Sequence, residues 1–163
     1  MDRPGPAGTI EPIDPDVEAE DVRGTVRDHW PVLCAVSVGG GLGAAARYGA
    51  GLLWPTASGA FPWTTFGINL VGCALIGVVL TVVSRLAVPH PLLRPFLATG
   101  ILGGFTTFST YAVDIRQLLA DGRTATALAY AAATPLAALA AVWATATATR
   151  RLFDRVTRRE AAA

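Results

Sequence analysis

The sequence predicts an all-α integral membrane protein of four transmembrane helices, the third of them broken in mid-membrane. Three observations carry that reading. Hydrophobic residues make up 52% of the 163-residue chain and mean hydropathy is +0.46, more than one soluble domain of this length needs for its core. Acidic residues vanish between Asp28 and Asp114, and across that span the only cations are Arg47, Arg85 and Arg94. Apolar runs of about 20 residues, enough to cross the hydrocarbon core of a bilayer, recur four times along the chain. The formal net charge of +1 hides this distribution. No basic stripe interleaved with aromatics is present, which argues against a nucleic-acid partner.

Residues 1–29 hold Pro4, Pro6, Pro12 and Pro15, most of the acids and few large apolar side chains. That composition predicts a disordered acidic tail, and it does not resemble a secretory signal. The membrane domain is expected over residues 30–149, with Trp30 a candidate interfacial anchor. Its first span, residues 31–53, contains Gly39-Gly-Gly-Leu-Gly-Ala-Ala-Ala-Arg47-Tyr48. Gly41 to Ala46 match the GxGxxA form of a dinucleotide fingerprint, but that motif requires an acid about 20 residues on. Residues 60–70 contain none. Gly39 and Gly43 are read instead as a GxxxG surface for close helix contact. Arg47 is costly in or near a bilayer, so it either serves function or snorkels to the interface.

The second span, residues 63–84, follows the turn-like Trp54-Pro-Thr-Ala-Ser-Gly59. Gly67, Gly72 and Gly77 thin part of its surface, and Asn69 is its one strongly polar side chain. A membrane Asn joins helices, yet it is also a neutral donor suited to meeting an anion. Pro89, Pro91 and Pro95 mark a short loop before the third span, residues 92–119. There the run Gly100-Ile-Leu-Gly-Gly-Phe-Thr-Thr-Phe-Ser-Thr-Tyr111 mixes paired glycines with four hydroxyls. Such a mixture weakens a helix and offers its backbone other hydrogen bonds. Irregular backbone at membrane depth is tolerated only where protein buries it or where it lines a wet cavity. The run is therefore read as a broken helix that builds a site, against the plainer reading of an interhelical loop.

The fourth span, residues 124–148, is largely alanine. Tyr130 and Thr134 share a face at a spacing of four, and Pro135 is expected to free a carbonyl. Residues 150–163 form a basic tail. Cys34 and Cys73 read as small buried hydrophobes, and His29 and His90 lack the neighbours a metal site requires. With four spans both termini share one side. That side receives Arg3, Arg23, Arg27, Arg85, Arg94, Arg150, Arg151, Arg155, Arg158 and Arg159, against Arg47, Arg116 and Arg123 opposite. The bias predicts cytoplasmic termini in a multi-pass protein of the plasma (inner) membrane.

Three motifs in this order resemble the CrcB/Fluc family of fluoride channels. They are Gly39 to Tyr48, Thr65-Phe-Gly-Ile-Asn-Leu-Val-Gly72, and Gly103-Gly-Phe-Thr-Thr-Phe-Ser-Thr110. The resemblance spans residues 31–148 and implies an antiparallel (inverted) dimer with two narrow fluoride pores along its interface. It also implies a structural sodium ion (Na+) held by the main-chain carbonyls of Gly103 and Thr106. By motif position, Asn69, Phe108 and Tyr111 fall on pore positions, and Arg47 on the arginine of the first span. Thr107 and Thr110, with Thr106, Ser109, Tyr130 and Thr134, would form a polar track. Fluoride requires donors to replace its water without trapping it, and ring edges carry positive potential. The chain departs from the family at Tyr111, where Phe is usual. Both homodimers and heterodimers of inverted homologues occur in the family; Tyr111 and the arginine bias lean toward the second kind.

The alternative is a small four-span proton-coupled multidrug-type exporter. That chemistry needs a membrane-embedded carboxylate, and the first two spans have none. A purely structural membrane protein would leave Asn69 and the hydroxyl-rich run unexplained. An enzyme is not expected, since no serine has a histidine and an acid in a familiar order and no metal or cofactor motif occurs.

Overall fold

The computed structural model describes residues 15–57 and 59–160, and every regular element among them is helical. The chain divides into two compact units, one ending at Pro31 and one running from Val32. Helix α1 spans Pro15–Leu53. It opens on a proline, which tolerates the first helical turn. Where composition alone suggests a disordered tail over residues 1–29, residues 15–29 are thus helical; residues 1–14 lie outside the described residues.

Helix α2 spans Trp63–Arg85. Helix α3 is π-wound over Pro95–Leu102 and α-wound over Gly103–Phe105. Winding resumes with α4, Ser109–Ala120, and α5 covers Thr124–Glu160. The start of α5 follows Gly122, whose φ of 72° suits glycine. Residues expected in a separate basic tail instead prolong α5, because arginine is a good helix former and cations suit a helix C-terminus. Residues 161–163 lie outside the described residues.

Among the described residues, four helical stretches are long and apolar enough to cross a membrane: His29–Leu53, Trp63–Arg85, Pro95–Ala120 and Thr124–Arg159. The chain is a multi-pass membrane protein. Its exposed surface fits that setting, since Val38, Leu42, Val71, Leu128, Leu136 and Leu139 all stand exposed, the outward apolar face that lipid requires and water penalises.

Small residues bring the helices together. A side chain on Gly39 would place its Cβ 2.6 Å from the Phe96 carbonyl oxygen and 3.0 Å from Gly100 Cα. One on Gly43 would strike the Ile101 carbonyl and sit 2.8 Å from the Phe105 nitrogen. Gly104 answers from α3, where a Cβ would lie 2.9 Å from Gly40 Cα. The Gly39–Gly43 surface therefore meets a second small-residue pair, Gly100 and Gly104, in backbone-to-backbone contact. Between α2 and α5, Gly77 faces Thr145 and the Val142 carbonyl. Leu118, Ala127 and Tyr130 form a buried cluster joining α4 and α5, with Phe61, Phe66, Tyr111 and Ile115 against it. An exposed ion pair, Arg85–Asp154 at 3.0 Å, ties the end of α2 to α5.

Candidate functional site

The site grows from the three residues between α3 and α4. Thr106 is extended (φ −74°, ψ 158°), so the amide of Thr107 turns away from the helix behind it. That amide donates instead to Asn69 Oδ1 at 2.8 Å, while Asn69 Nδ2 donates to the Thr107 carbonyl at 3.0 Å. Only one orientation of the side-chain amide satisfies both bonds, since Thr107 offers one donor and one acceptor. Asn69 is buried on α2 and Thr107 is buried with it. The one strongly polar side chain of residues 63–84 thus serves the third span.

Thr107 also organises the start of α4. Its Oγ1 accepts from the Thr110 amide at 3.1 Å, the bond an N-capping hydroxyl makes. The same oxygen donates to Thr110 Oγ1 at 3.0 Å and lies 3.3 Å from Ser109 Oγ. These contacts leave two carbonyls without the helical donor four residues on. The Thr107 amide is taken by Asn69 rather than Gly103, and the Thr110 amide by Thr107 Oγ1 rather than Thr106. Of the two carbonyls between them, that of Gly104 accepts from Arg47 Nε at 3.2 Å. A guanidinium there sits at the C-terminal end of α3, where the helix dipole favours a cation.

Asn69, Thr106, Thr107, Phe108, Tyr111 and Thr134 line one groove of about 380 Å³, completed by Cys73, Pro135 and Ala138. Four of the six residues assigned to the ion path share this groove. Thr110 joins it through its bonds to Thr107, while Arg47 is not among the lining residues and is engaged with Gly104. Phe108 is 79% exposed despite its place in the groove wall. Its ring centroid lies 5.6 Å from that of Tyr111, which lies 5.2 Å from Tyr130. The Tyr111 hydroxyl donates to the Ala131 carbonyl at 2.7 Å.

The hydroxyls assigned to a polar track divide into separate groups. Thr107, Ser109 and Thr110 form one cluster. Thr106 donates back to the Leu102 carbonyl and Thr134 back to that of Tyr130, a local pairing common for threonine within helices. Tyr130, fully buried, turns the other way and donates to Asp114 Oδ2 at 3.2 Å. Cys73 and Ala138 were not assigned to the site from sequence. Pro135 was expected to free a carbonyl, and its position four residues after Ala131 identifies that carbonyl as the one Tyr111 meets.

Comparison with known proteins follows the same residues. Residues 34–146 match the family model described as CrcB-like protein, Camphor Resistance (CrcB). Over 127 residues the chain is 63% identical to fluoride-specific ion channel FluC 1 of Streptomyces coelicolor, covering 78% of this chain and 82% of that one. It is 47% identical over 131 residues to FluC 2 of Thermobifida fusca, with coverages of 80% and 97%. FluC of Paracoccus denitrificans is 43% identical over 118 residues, with coverages of 72% and 94%.

Proposed function

The chain belongs to the CrcB family, and from that premise we propose that it is a fluoride-specific ion channel that lets fluoride leave the cytoplasm passively. It is a transporter, not an enzyme. The observation that carries the proposal is the convergence of Asn69, Thr107, Phe108 and Tyr111 on one groove.

Fluoride is small and holds its water tightly, so a path for it must supply donors while staying weak enough to release it. The Asn69 amide nitrogen carries two protons. One is committed to Thr107, and the second is the donor assigned to the ion. Phe108 and Tyr111 contribute ring edges, whose positive potential attracts an anion weakly. The clustered hydroxyls of Thr107, Ser109 and Thr110 stand beside them. No acid lies between residues 29 and 113 to repel the ion.

The break in the third span falls at membrane depth in this reading, and the functional unit is an antiparallel dimer with pores at its interface. A second subunit would cover Phe108, which a single chain leaves 79% exposed. The Gly103 and Thr106 carbonyls, lacking their helical donors, fit a structural sodium ion, since hard cations take oxygen ligands. Bound there, sodium would supply a fixed positive charge and hold the broken segment's carbonyls in place. The arginine bias supports cytoplasmic termini in the inner membrane and an inverted homologue as partner. Tyr111 no longer adds to that argument, because its hydroxyl is engaged within its own subunit.

Efflux from liposomes containing the full chain tests the proposal, with chloride as control. Fluoride passing without chloride is the expected result, from this chain alone or with its inverted partner. Folded protein that passes no fluoride in either preparation would overturn it.

A further inference from the structure

Proline has no main-chain N–H, so within a helix it deprives the carbonyl four residues earlier of its donor. Pro135 lies inside α5, and the carbonyl concerned is that of Ala131. In a membrane such an oxygen finds no water to replace the lost bond. Tyr111, on the neighbouring helix α4, donates its hydroxyl to this same oxygen at 2.7 Å. Tyr111 and Pro135 both line the groove with Asn69 and Phe108.

We propose that Tyr111 and Pro135 are a matched pair in which the proline opens one carbonyl beside the groove and the tyrosine hydroxyl closes it. The ring of Tyr111, and not its hydroxyl, then faces the ion. The role of the Tyr111 hydroxyl is positioning. It anchors α4 to α5, and the Tyr111 ring stays packed between those of Phe108 and Tyr130, with centroids 5.6 and 5.2 Å away.

Two consequences for an anion follow. A bare carbonyl oxygen beside the path presents a partial negative charge that repels it, and the bond from Tyr111 quenches that charge. A free phenol beside the path would be a strong donor that holds fluoride back, and commitment to Ala131 removes this trap. Phenylalanine at residue 111 would expose the oxygen again. Alanine at residue 135 would restore the helical N–H and make the hydroxyl dispensable. The two positions are therefore interdependent: tyrosine with proline is one solution, and phenylalanine without proline is the other.

The consequence for flux rests on the fluoride-channel reading, whereas the bond itself does not. The test compares the unaltered full chain with Tyr111→Phe, Pro135→Ala and the double variant. Melting temperature is measured in detergent, and fluoride and chloride efflux from liposomes is measured per folded protein, across fluoride concentrations. Tyr111→Phe is expected to lower the melting temperature and slow fluoride efflux several-fold. In the Pro135→Ala background the same change is expected to do neither, so the double variant regains efflux. Equal losses in both backgrounds would overturn the pairing and place the hydroxyl on the ion itself. No loss in either background would also overturn it. If Tyr111→Phe fails to fold, folding of the double variant supports the pairing and its failure to fold defeats it. Wild-type protein silent toward fluoride both alone and with its inverted partner would sink only the channel reading, since the melting temperatures would still decide the pairing.

Discussion

Asn69 and Thr107 pair like two facing peptide units, the side-chain amide of one meeting both main-chain polar groups of the other at 2.8 and 3.0 Å. The pair fixes the segment where α3 ends and α4 begins, and it selects which carbonyls lose their helical partners. Asn69 is thus a structural clamp, and under the proposed function it is also the donor to fluoride.

Those two roles separate by substitution. Asn69→Ala strands a buried donor and a buried acceptor, at a cost of roughly 2–4 kcal/mol. Asn69→Asp keeps an acceptor for the Thr107 amide but sets a negative charge beside the groove. We expect the alanine variant to melt at a clearly lower temperature. The aspartate variant is expected to pass no fluoride even where it folds, and unchanged efflux would remove Asn69 from the path.

The glycine contacts give a prediction about assembly of the fold. At Gly43 a methyl group would meet the Ile101 carbonyl and the Phe105 nitrogen, both backbone atoms that cannot swing aside. Gly43→Ala should force α1 from α3 and sharply reduce the yield of folded protein. Gly51, on the same helix, has no atom within 4 Å of the corresponding position. Gly51→Ala should be tolerated or gain about 0.5–1 kcal/mol from helix propensity. Size-exclusion profiles and melting curves of the two variants compare them directly.

The spans were legible because their ends are written in local chemistry. Pro62 precedes α2, and Asp121-Gly122 precedes α5, so sequence and structure start both helices at the same residues, Trp63 and Thr124. The glycine and hydroxyl run was legible as a place where winding weakens, and α3 gives way to extended backbone at Thr106. Partner choice was not legible. The bond between Asn69 and Thr107 joins residues 38 apart in sequence, and nothing local distinguishes an amide bound to an ion from one bound to backbone. Gly100 and Gly104 carry the same four-residue spacing as Gly39 and Gly43, yet the conspicuous threonines around them draw attention to a break and away from a contact surface. The helix from Pro15 follows from charged residues with good helix propensity, which composition alone reads as disorder, and arginines of the basic tail carry α5 past Ala148.

Thr107 offers a test of how α4 is started. Its hydroxyl caps the Thr110 amide at 3.1 Å and anchors the cluster with Ser109 and Thr110. Thr107→Val keeps the shape and loses the cap, at a cost of about 1 kcal/mol. Thr107→Ser keeps the oxygen and should retain most of the stability. If the cluster also borders the ion path, efflux should follow the same order, with serine near wild type and valine several-fold slower. Equal melting temperatures for the two variants would show that the cap contributes nothing.

Arg47 separates support of the break from lining of the path. Its Nε reaches the Gly104 carbonyl at 3.2 Å, and it is not among the residues lining the groove. Its contribution should therefore lie in holding the end of α3, through one charge-assisted bond of about 1.5–3 kcal/mol. Arg47→Gln retains a donor without the charge, and Arg47→Leu retains neither. Stability should fall in the order arginine, glutamine, leucine, and efflux per reconstituted protein should fall with it. The preference for fluoride over chloride should stay unchanged in every variant that folds, because the groups proposed to meet the ion remain in place. A change in that preference in Arg47→Gln would put the guanidinium on the ion path and contradict its assignment to Gly104.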